Sequence, residues 1–332
     1  MMNPQTLSDN FGRNIDYLRI SVTDRCDLRC VYCMPAKMRF TPRSEVLSIE
    51  EILRLGHIFT SLGVRKIRIT GGEPLVREGI DKLCLGLSRM NSLRELVLTT
   101  NGSRLQQWAK PLADSGVQRL NISLDSLRPE RFRAMTRVGN LMDVLKGIET
   151  AQQAGFERIK LNSIVMKGWN DDEVLDLVQF AVNEGVDLSF IEEMPMGAVE
   201  GNRVIRQMSN DVIRKIIATR YTLIDSLEQS GGPSRYVRMA QYPKLRIGFI
   251  SPHSNPFCAQ CNRVRLTATG RLLLCLAHEQ SIDLRQKLRT PGQSDSLLQA
   301  AIQDSMQLKP RSHLFSTTEE VVSWRNMNAT GG

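Results

Sequence analysis

Short segments in which apolar and polar residues alternate recur along the first two thirds of the chain, and each is followed by a stretch of helical periodicity. The period of two predicts strands at residues 17–22, 66–70, 95–99, 120–125, 159–165 and 187–192. Helices are expected between them. One begins at Ser48, where Ser48 and Glu51 form a capping-box pattern, and another begins at Asn170. Six cycles of strand and helix predict a parallel sheet with right-handed crossovers, either doubly wound or curled into a barrel.

The predicted strands are polar on one face. Strands covered by helices on both faces should be almost continuously apolar, which these are not. Since the helices must cover the apolar face, the polar face is expected to line a cavity, where burial of charge is costly without a charged ligand. The pattern therefore favours an α/β fold with an incomplete, TIM-type parallel barrel. It also predicts an anionic substrate inside the barrel, bound by Arg19, Lys66, Arg68 and Lys160.

The pattern changes after residue 196. Residues 197–240 are predicted to be loop-rich, with Gly231, Gly232 and Pro233 as a linker-like break. Strands are predicted beyond it at 245–250, 263–268 and 271–275, the last two joined by a turn at Thr269 and Gly270, and helices at 281–290 and 294–307. We therefore divide the chain into an N-terminal arm (1–15), a core barrel (16–235) and a smaller C-terminal α+β unit (236–332).

The composition, with 41% apolar and 24% charged residues, is that of a folded protein. The longest apolar run, at 272–277, is too short to span a bilayer, so we expect no membrane partner and a cytoplasmic location. The formal net charge of +9 favours an anionic partner. Because the basic residues are scattered and only 5% of residues are aromatic, stacking platforms for single-stranded nucleic acid are not evident.

Three cysteines, Cys26, Cys30 and Cys33, lie close together with no histidine nearby. A structural zinc site is closed by four protein ligands, so a set of three fits it poorly. A 4Fe-4S cluster held by three thiolates would keep one iron with an open coordination position. The spacing therefore favours a reactive iron-sulfur cluster. By contrast, Cys84 lies on an apolar helical face and is predicted to be a core thiol.

A second triplet consists of Cys258, Cys261 and Cys275. With His278 it would also make an acceptable zinc ribbon, so its spacing alone leaves zinc and iron-sulfur open. The first triplet favours a second cluster. Arg263 and Arg265, which alternate on the strand after Cys261, favour a phosphate-bearing ligand held by guanidinium groups.

Two glycines, Gly71 and Gly72, follow the second predicted strand and precede Glu73. At the carboxyl end of a parallel strand, glycines let the backbone approach a ligand closely. Neither a P-loop nor a G-x-G-x-x-G pattern is present, so we expect any nucleotide to be held by side chains and strand ends.

These motifs together resemble a known family. The C-x-x-x-C-x-Φ-C spacing with Tyr32, and the Gly-Gly-Glu-Pro turn, are similar to radical S-adenosylmethionine (SAM) enzymes. The run from Thr23 to Cys26, the Cys258 to Arg265 segment and the Gly331-Gly332 terminus resemble, within that superfamily, the GTP 3',8-cyclase (MoaA) family of molybdenum cofactor biosynthesis. The resemblance extends from Asp16 to the terminus.

The resemblance implies two 4Fe-4S clusters, one on Cys26, Cys30 and Cys33 and one on Cys258, Cys261 and Cys275. The open iron of the first would chelate SAM, and an electron passed to the sulfonium would yield the 5'-deoxyadenosyl radical. Residues expected around SAM are Tyr32, Gly71, Gly72, Glu73, Ser123 and Met194. Residues expected around GTP are Arg19, Arg68, Thr99, Lys160, Arg263, Val264 and Arg265, with the Gly331-Gly332 tail reaching the same place.

The implied reaction is a lyase reaction that cyclises GTP, with Arg263 and Arg265 beside the reacting nucleotide. The implied partners are a low-potential electron donor, the cyclic pyranopterin monophosphate synthase MoaC that receives the product, and a second copy of the chain in a homodimer. The sequence departs from the family pattern at Ser189, where an arginine is common, at Thr330, where a bulky aliphatic residue is usual, and at Asp27, which replaces a common asparagine.

Two alternatives are open at this level. One is another radical SAM enzyme with an auxiliary cluster, acting on a peptide or an RNA, which Ser189 would favour. The other is a basic iron-sulfur or zinc protein that binds nucleic acid without catalysis.

Overall fold

Six parallel strands from the first part of the chain lie side by side in sequence order. The computed structural model describes residues 6–197, 203–228, 231–313, 315 and 325–331. The strands are β1 (Tyr17–Ser21), β2 (Lys66–Thr70), β3 (Glu95–Thr100), β4 (Arg119–Ser123), β5 (Arg158–Ile164) and β6 (Asp187–Ile191). All six predicted strands are confirmed, with small differences at their ends.

Helices connect these strands and cover the outer face of the sheet. They are α1 (Ile49–Ser61), α2 (Ile80–Ser88), α3 (Leu105–Asp114), α4 (Pro129–Thr136), α5 (Leu141–Gln153) and α6 (Val174–Glu184). The capping box of α1 is confirmed, since the Glu51 backbone N–H donates to Ser48 Oγ (3.1 Å) and the Ser48 N–H donates to Glu51 Oε2 (2.8 Å).

The predicted helix start at Asn170 is wrong. Residues Asp171–Glu173 form a 3₁₀ turn, and α6 begins only at Val174. The Asn170 carboxamide is buried and binds backbone groups of the preceding strand ends. It accepts from Met166 N–H (2.8 Å) and donates to the carbonyls of Asp125 (2.7 Å) and Ile164 (2.9 Å). The buried carbonyls at these two strand ends need hydrogen-bond donors, and the Asn170 side chain supplies them.

The core lies between the apolar face of the strands and the helices. Ile20 of β1 and Ile69 of β2 pack in the same cluster as Ile52, Leu55 and Phe59 of α1, and all five are fully buried. Each such side chain contributes about 1.5 to 3 kcal/mol by leaving water. Cys84 on α2 is also fully buried, which confirms it as a core thiol.

The later part of the chain adds α7 (Arg203–Arg206), α8 (Asn210–Ala218), β7 (Leu223–Asp225), β8 (Arg235–Met239), β9 (Tyr242–Ile250), β10 (Arg263–Leu266), β11 (Arg271–Leu273), β12 (Ser281–Asp283), α9 (Leu284–Arg289), α10 (Asp295–Met306) and α11 (Met327–Thr330). The expected loop-rich region at 197–240 is therefore wrong for the described residues, since α7, α8, β7 and β8 all lie in it. These elements span only three to nine residues each, too short for a period to stand out in the sequence, although Ile213 and Ile217 do give α8 a buried face.

The later strands join the same sheet. Its order is β12-β11-β10-β1-β2-β3-β4-β5-β6-β9-β8-β7, in which β10 pairs in parallel with β1 and β9 with β6. Eight consecutive strands from β10 to β9 are thus parallel, and an antiparallel pair extends each edge. The fold is the expected α/β incomplete barrel of TIM type. Within the described ranges, no helix has both the length and the apolar character that crossing a membrane requires.

Candidate active site

The polar face of the sheet encloses a cavity of about 280 Å³. Arg19 of β1, Lys66 and Arg68 of β2, and Lys160 of β5 line it, as the alternation of the strands predicts. Both cysteine triplets line the same cavity, although more than 220 residues of sequence separate Cys33 from Cys258. The structure therefore brings the two triplets and the cationic strand faces together in one place.

The first triplet lies in the loop after β1. Its thiols are not in disulfides, and Cys26 Sγ accepts hydrogen bonds from the Leu28 backbone N–H (3.4 Å) and from Asn101 Nδ2 (3.8 Å). Burial raises the pKa of Cys26 and of Cys33 to about 12, and it also raises that of Cys30 well above its usual value. Three desolvated sulfurs beside N–H donors are a poor site for bare thiolates but suit a cationic metal cluster, which offsets the desolvation of the thiolates.

Asp27 anchors this loop to the end of β3. Its carboxylate accepts from Asn101 Nδ2 (2.7 Å), Ser103 Oγ (3.0 Å) and Arg104 Nε (3.0 Å). Burial opposes ionisation of Asp27, but these hydrogen bonds outweigh it and lower its pKa. Asp27 therefore serves as a fixed acceptor that holds the triplet against the carboxyl end of the neighbouring strand.

The glycine turn after β2 packs directly on the same loop. The Gly72 N–H donates to the Thr23 carbonyl (2.7 Å), and a Cβ on Gly72 would lie 2.4 Å from the carbonyl oxygen of Arg25. Gly71 and Gly72 both line the cavity. Only glycine allows this approach, so the turn joins the end of β2 to the cysteine loop.

Glu73 is not among the residues that line the cavity. It is fully buried behind the turn, where its carboxylate accepts from the backbone N–H groups of Leu75 (3.0 Å) and Asn101 (2.7 Å) and from Thr100 Oγ1 (2.8 Å). Of the SAM contacts expected from the sequence, Tyr32, Ser123 and Met194 line the cavity with the two glycines, whereas the Glu73 side chain supports them from behind.

Asp125 is a cavity residue that the sequence analysis missed. It follows β4, accepts from Tyr32 Oη (2.6 Å) and from the Ile164 N–H (2.8 Å), and is buried. Burial raises its pKa to about 6. Its position at the carboxyl end of a parallel strand, where such folds place their sites, was the available signal.

The second triplet lies on the loops around β10 and β11. Cys258 Sγ accepts from the His313 N–H (3.4 Å), and the buried Lys309 ammonium donates to the carbonyls of Arg263 (2.9 Å) and Leu274 (2.5 Å). Burial opposes ionisation of the Cys261 thiol, but the charges of Lys309 and Arg263 outweigh it and lower its pKa. Burial raises the pKa of the Cys275 thiol, so in this set, as in the first, a cationic cluster would offset the desolvation of the sulfur.

The zinc-ribbon alternative would need His278 as its fourth ligand. His278 Nε2 is instead hydrogen-bonded to the Ser312 carbonyl (3.1 Å), and His278 is not among the residues that line the cavity with Cys258, Cys261 and Cys275. The donor sets therefore suit two iron-sulfur clusters, each held by three cysteines.

Cations from three adjacent strands stand in register across the cavity wall. Arg19 of β1 is opposite Arg68 of β2 on one side and Arg265 of β10 on the other, while Tyr17 is opposite Lys66 and Arg263. The remaining residues expected around GTP, Thr99, Lys160 and Val264, also line the cavity, and Arg68 Nη1 donates to Thr99 Oγ1 (2.8 Å). Tyr17, Asn121 and Asn162 line it as well and were missed, although the same strand alternation contained them.

The carboxyl-terminal segment reaches this wall. The Gly331 carbonyl accepts from Arg265 Nη1 (2.5 Å) and Arg19 Nη2 (3.2 Å), and Asn328 Nδ2 donates to the Asp24 carbonyl (2.8 Å). Gly332 lies outside the described residues. Thr330 is buried within this segment.

Ser189 of β6 is fully buried, and its Oγ lies 3.1 Å from the Oγ of Ser234, which lines the cavity. Where the family often has arginine, this chain therefore has a serine whose hydroxyl contacts a second hydroxyl. Ser234 lines the cavity, and Ser189 lies behind it.

Comparison with known proteins agrees with this geometry. Residues 20–181 match the radical SAM superfamily, and residues 186–315 match the family described as Molybdenum Cofactor Synthesis C. The chain is 56% identical to a GTP 3',8-cyclase of Pseudomonas entomophila (strain L48), over 99% of both chains. It is 59% identical to the GTP 3',8-cyclase 1 of Pseudomonas aeruginosa (strain PAO1), over 98% of both chains.

Among solved structures, Streptococcus suis SuiB bound to S-adenosylmethionine superposes with a TM-score of 0.62 at 17% identity, covering 82% of this chain and 64% of SuiB. At that identity the likeness shows the fold alone. The identity to the cyclases is much higher, 56% and 59% over nearly the full length of both chains, and the chain therefore belongs to the GTP 3',8-cyclase family of the radical SAM superfamily.

Proposed function

We propose that this protein converts GTP to (8S)-3',8-cyclo-7,8-dihydroguanosine 5'-triphosphate with SAM and two 4Fe-4S clusters, the first step of molybdenum cofactor biosynthesis. The observation that carries the proposal is the meeting of six cysteines, in two sets of three, on one cavity whose wall between them is cationic. Each set is one thiolate short of a four-iron cluster, so each cluster would keep one iron for a ligand.

The residue roles follow from their places in the cavity. Cys26, Cys30 and Cys33 would hold the cluster that binds SAM, with Gly71, Gly72, Tyr32, Ser123 and Met194 around it. When bound, this cluster and SAM supply the reductive cleavage of the sulfonium carbon–sulfur bond that starts the reaction. Cys258, Cys261 and Cys275 would hold the second cluster, beside the guanine base.

The chain's own contribution is alignment and charge. Arg19, Lys66, Arg68, Lys160, Arg263 and Arg265 would neutralise the triphosphate and orient the ribose toward the SAM end. Glu73 and Asp27 hold the first cysteine loop and the glycine turn in one geometry from behind. Enclosure of the cavity by the sheet and the carboxyl-terminal segment would exclude water from a reactive radical.

We also propose the division of labour that the two triplets imply. Residues 16–235 would form the SAM-binding barrel, residues 236–332 the unit that binds the second cluster and adds Arg263 and Arg265 to the GTP site, and residues 1–15 an arm. The enzyme would work in the cytoplasm with a low-potential electron donor and would hand its product to the cyclic pyranopterin monophosphate synthase MoaC. Whether two copies associate follows from a sedimentation measurement, in which we expect a homodimer.

Anaerobic reconstitution tests the function. We expect about eight irons per chain, cleavage of SAM, and a cyclised nucleotide formed from GTP but not from ATP. Four irons with one zinc would overturn the second cluster. Cleavage of SAM that proceeds equally without GTP, with no cyclised product, would overturn the cyclase and favour another radical SAM reaction.

A further inference from the structure

Tyr17 lies on the central strand of the three that form the cationic wall, in the middle of a row of directly paired residues, here called a rung. Its register partners are Arg263 on β10 and Lys66 on β2, and the next rung toward the strand ends is Arg265, Arg19 and Arg68. The side chain is 1% exposed and lines the cavity, and its hydroxyl oxygen accepts from Arg68 Nε (2.5 Å). A phenol thus stands where the pattern of the wall would place another cation.

Cations also surround the ring. Lys66 Nζ lies 5.2 Å from the ring centroid, and the guanidinium carbons of Arg263 and Arg68 lie 5.9 Å and 6.0 Å from it. The charged groups that face Tyr17 are Arg19 from its own strand, Lys66 and Arg68 from β2, and Arg263 and Arg265 from β10. From β3, Glu95 contributes a carboxylate that is paired with Lys66 (2.6 Å) and Arg119 (2.5 Å).

This excess of positive charge acts on the phenol. Burial opposes ionisation of Tyr17, but the charges of Arg68, Arg19 and Lys66 outweigh burial and lower its pKa to about 7. A phenolate in this position would relieve the mutual repulsion of the cations while no anionic ligand is bound.

We propose that Tyr17 is the exchangeable counter-charge of this wall: it is ionised while the cavity holds no nucleotide, and it takes up a proton from solvent when a triphosphate binds. The inference rests on the proposed function, since GTP is the polyanion in question. The triphosphate replaces the phenolate as partner of the cations, and a phenolate beside phosphate oxygens would be repelled, so the proton restores a neutral hydroxyl. Tyr17 is thus a positioning residue that sets the charge of the site before and after binding.

The direction of the pH dependence follows. Binding coupled to uptake of one proton weakens as pH rises above the pKa of the unliganded protein, by up to about tenfold per pH unit. Below that pKa the phenol is already protonated, and its contribution to the pH dependence disappears.

The test is isothermal titration calorimetry of GTP into anaerobically reconstituted wild-type protein and its Tyr17→Phe and Tyr242→Phe variants. Titrations at about pH 8 in buffers of different ionisation enthalpy count the protons taken up. Tyr242 lies on β9 and is 38% exposed, so it is a matched control for loss of a phenolic hydroxyl. We expect about one proton per GTP for the wild type and for Tyr242→Phe, and close to none for Tyr17→Phe.

The GTP dissociation constant gives a second readout. Between about pH 7 and pH 8.5 it should rise roughly tenfold in the wild type and stay nearly constant in Tyr17→Phe. Equal proton uptake in wild type and Tyr17→Phe would overturn the proposal and assign the proton to a lysine of the wall. No binding of GTP by the wild type at any pH would instead overturn the proposed function. A Tyr17→Phe variant that binds no GTP but keeps the iron content and melting temperature of the wild type would also overturn the proposal, because the wall cations are retained there.

Discussion

Glu73 connects three parts of the site through one buried side chain, and its removal should be costly. Its carboxylate lies behind the glycine turn at the end of β2 and accepts from Leu75, Thr100 and Asn101, while its own N–H donates to the Arg25 carbonyl of the first cysteine loop (2.8 Å). Replacing it by alanine removes the acceptor for all three donors at once. The side chain is fully buried, so the donors that it leaves behind lie away from bulk water.

The magnitude follows from the donors that lose their partner. The hydrogen bonds from the Leu75 N–H and Thr100 Oγ1 are buried, whereas the one from Asn101 is partly buried. A buried donor left unsatisfied costs about 1 to 3 kcal/mol, so the two buried ones together cost roughly 2 to 6 kcal/mol. For a chain of 332 residues, with an unfolding entropy of about 2.1 cal/mol/K per residue, that corresponds to a fall in melting temperature of roughly 3 to 9 °C.

Thermal unfolding followed by circular dichroism measures the effect, with Glu51→Ala as the matched control. Glu51 also accepts a backbone N–H, that of Ser48 at 2.8 Å, but it is only half-buried and its other partner is the exposed Arg289, so its loss should cost about 1 to 2 kcal/mol. We further expect Glu73→Ala to bind SAM more weakly in the reconstituted enzyme. If the two alanine variants melt within a degree or two of each other, the buried hydrogen bonds of Glu73 do not stabilise the turn as argued.

Three further outcomes are expected. Cys275→Ala should reduce the iron content from about eight to about four per chain and abolish cyclisation while SAM cleavage continues, and an unchanged iron content would remove Cys275 from the second cluster. Burial raises the pKa of Asp125 to about 6, so between about pH 4 and pH 6 this group binds more protons in the folded than in the unfolded state, and its contribution to stability is lost as pH rises. The melting temperature of the wild type minus that of Asp125→Asn should therefore fall as pH rises from about 4 to about 6, and a difference that does not change with pH would contradict this assignment. Arg13→Ala should destabilise by about 3 to 5 kcal/mol, because Arg13 pairs with the buried Asp9 (2.5 Å) and donates to the Cys258 carbonyl (2.8 Å), whereas Arg54→Ala, which breaks an exposed pair, should cost less than about 1 kcal/mol. Equal losses for Arg13→Ala and Arg54→Ala would show that the arm does not support the second triplet.

The alternation of apolar and polar residues along the strands was enough to predict much of the fold and of the site. The polar positions of β1, β2 and β5 predicted which side chains enter the cavity, because a period of two assigns every residue of a strand to one face. Tyr17 and Asn162 lie on the same polar face of their strands. They were missed because the residues expected in the cavity were selected by charge and not by the face on which they lie.

Other features had no local signal. The carbonyl of Gly331 meets Arg19 across more than 300 residues of sequence, and Lys309 reaches the second triplet from a segment after α10. The role of Glu73 depends on Thr100 and Asn101 at the end of β3, and that of Asn170 on carbonyls at two strand ends. Such partners are set by tertiary packing, which neither propensity nor spacing encodes.

The pairing of β1 with β10 also bears on how the protein is made. β1 leaves the ribosome early, yet its parallel partner on one side begins at Arg263, so that edge waits for most of the chain to be synthesised. At 5 to 20 residues per second the wait is roughly 10 to 50 seconds, during which an apolar strand carrying Leu18 and Ile20 presents unpaired backbone groups. A nascent chain that stalls before β10 therefore exposes an unpaired strand edge that can aggregate with other chains. Production of this enzyme should depend strongly on uninterrupted translation or on chaperones that cover the edge of β1.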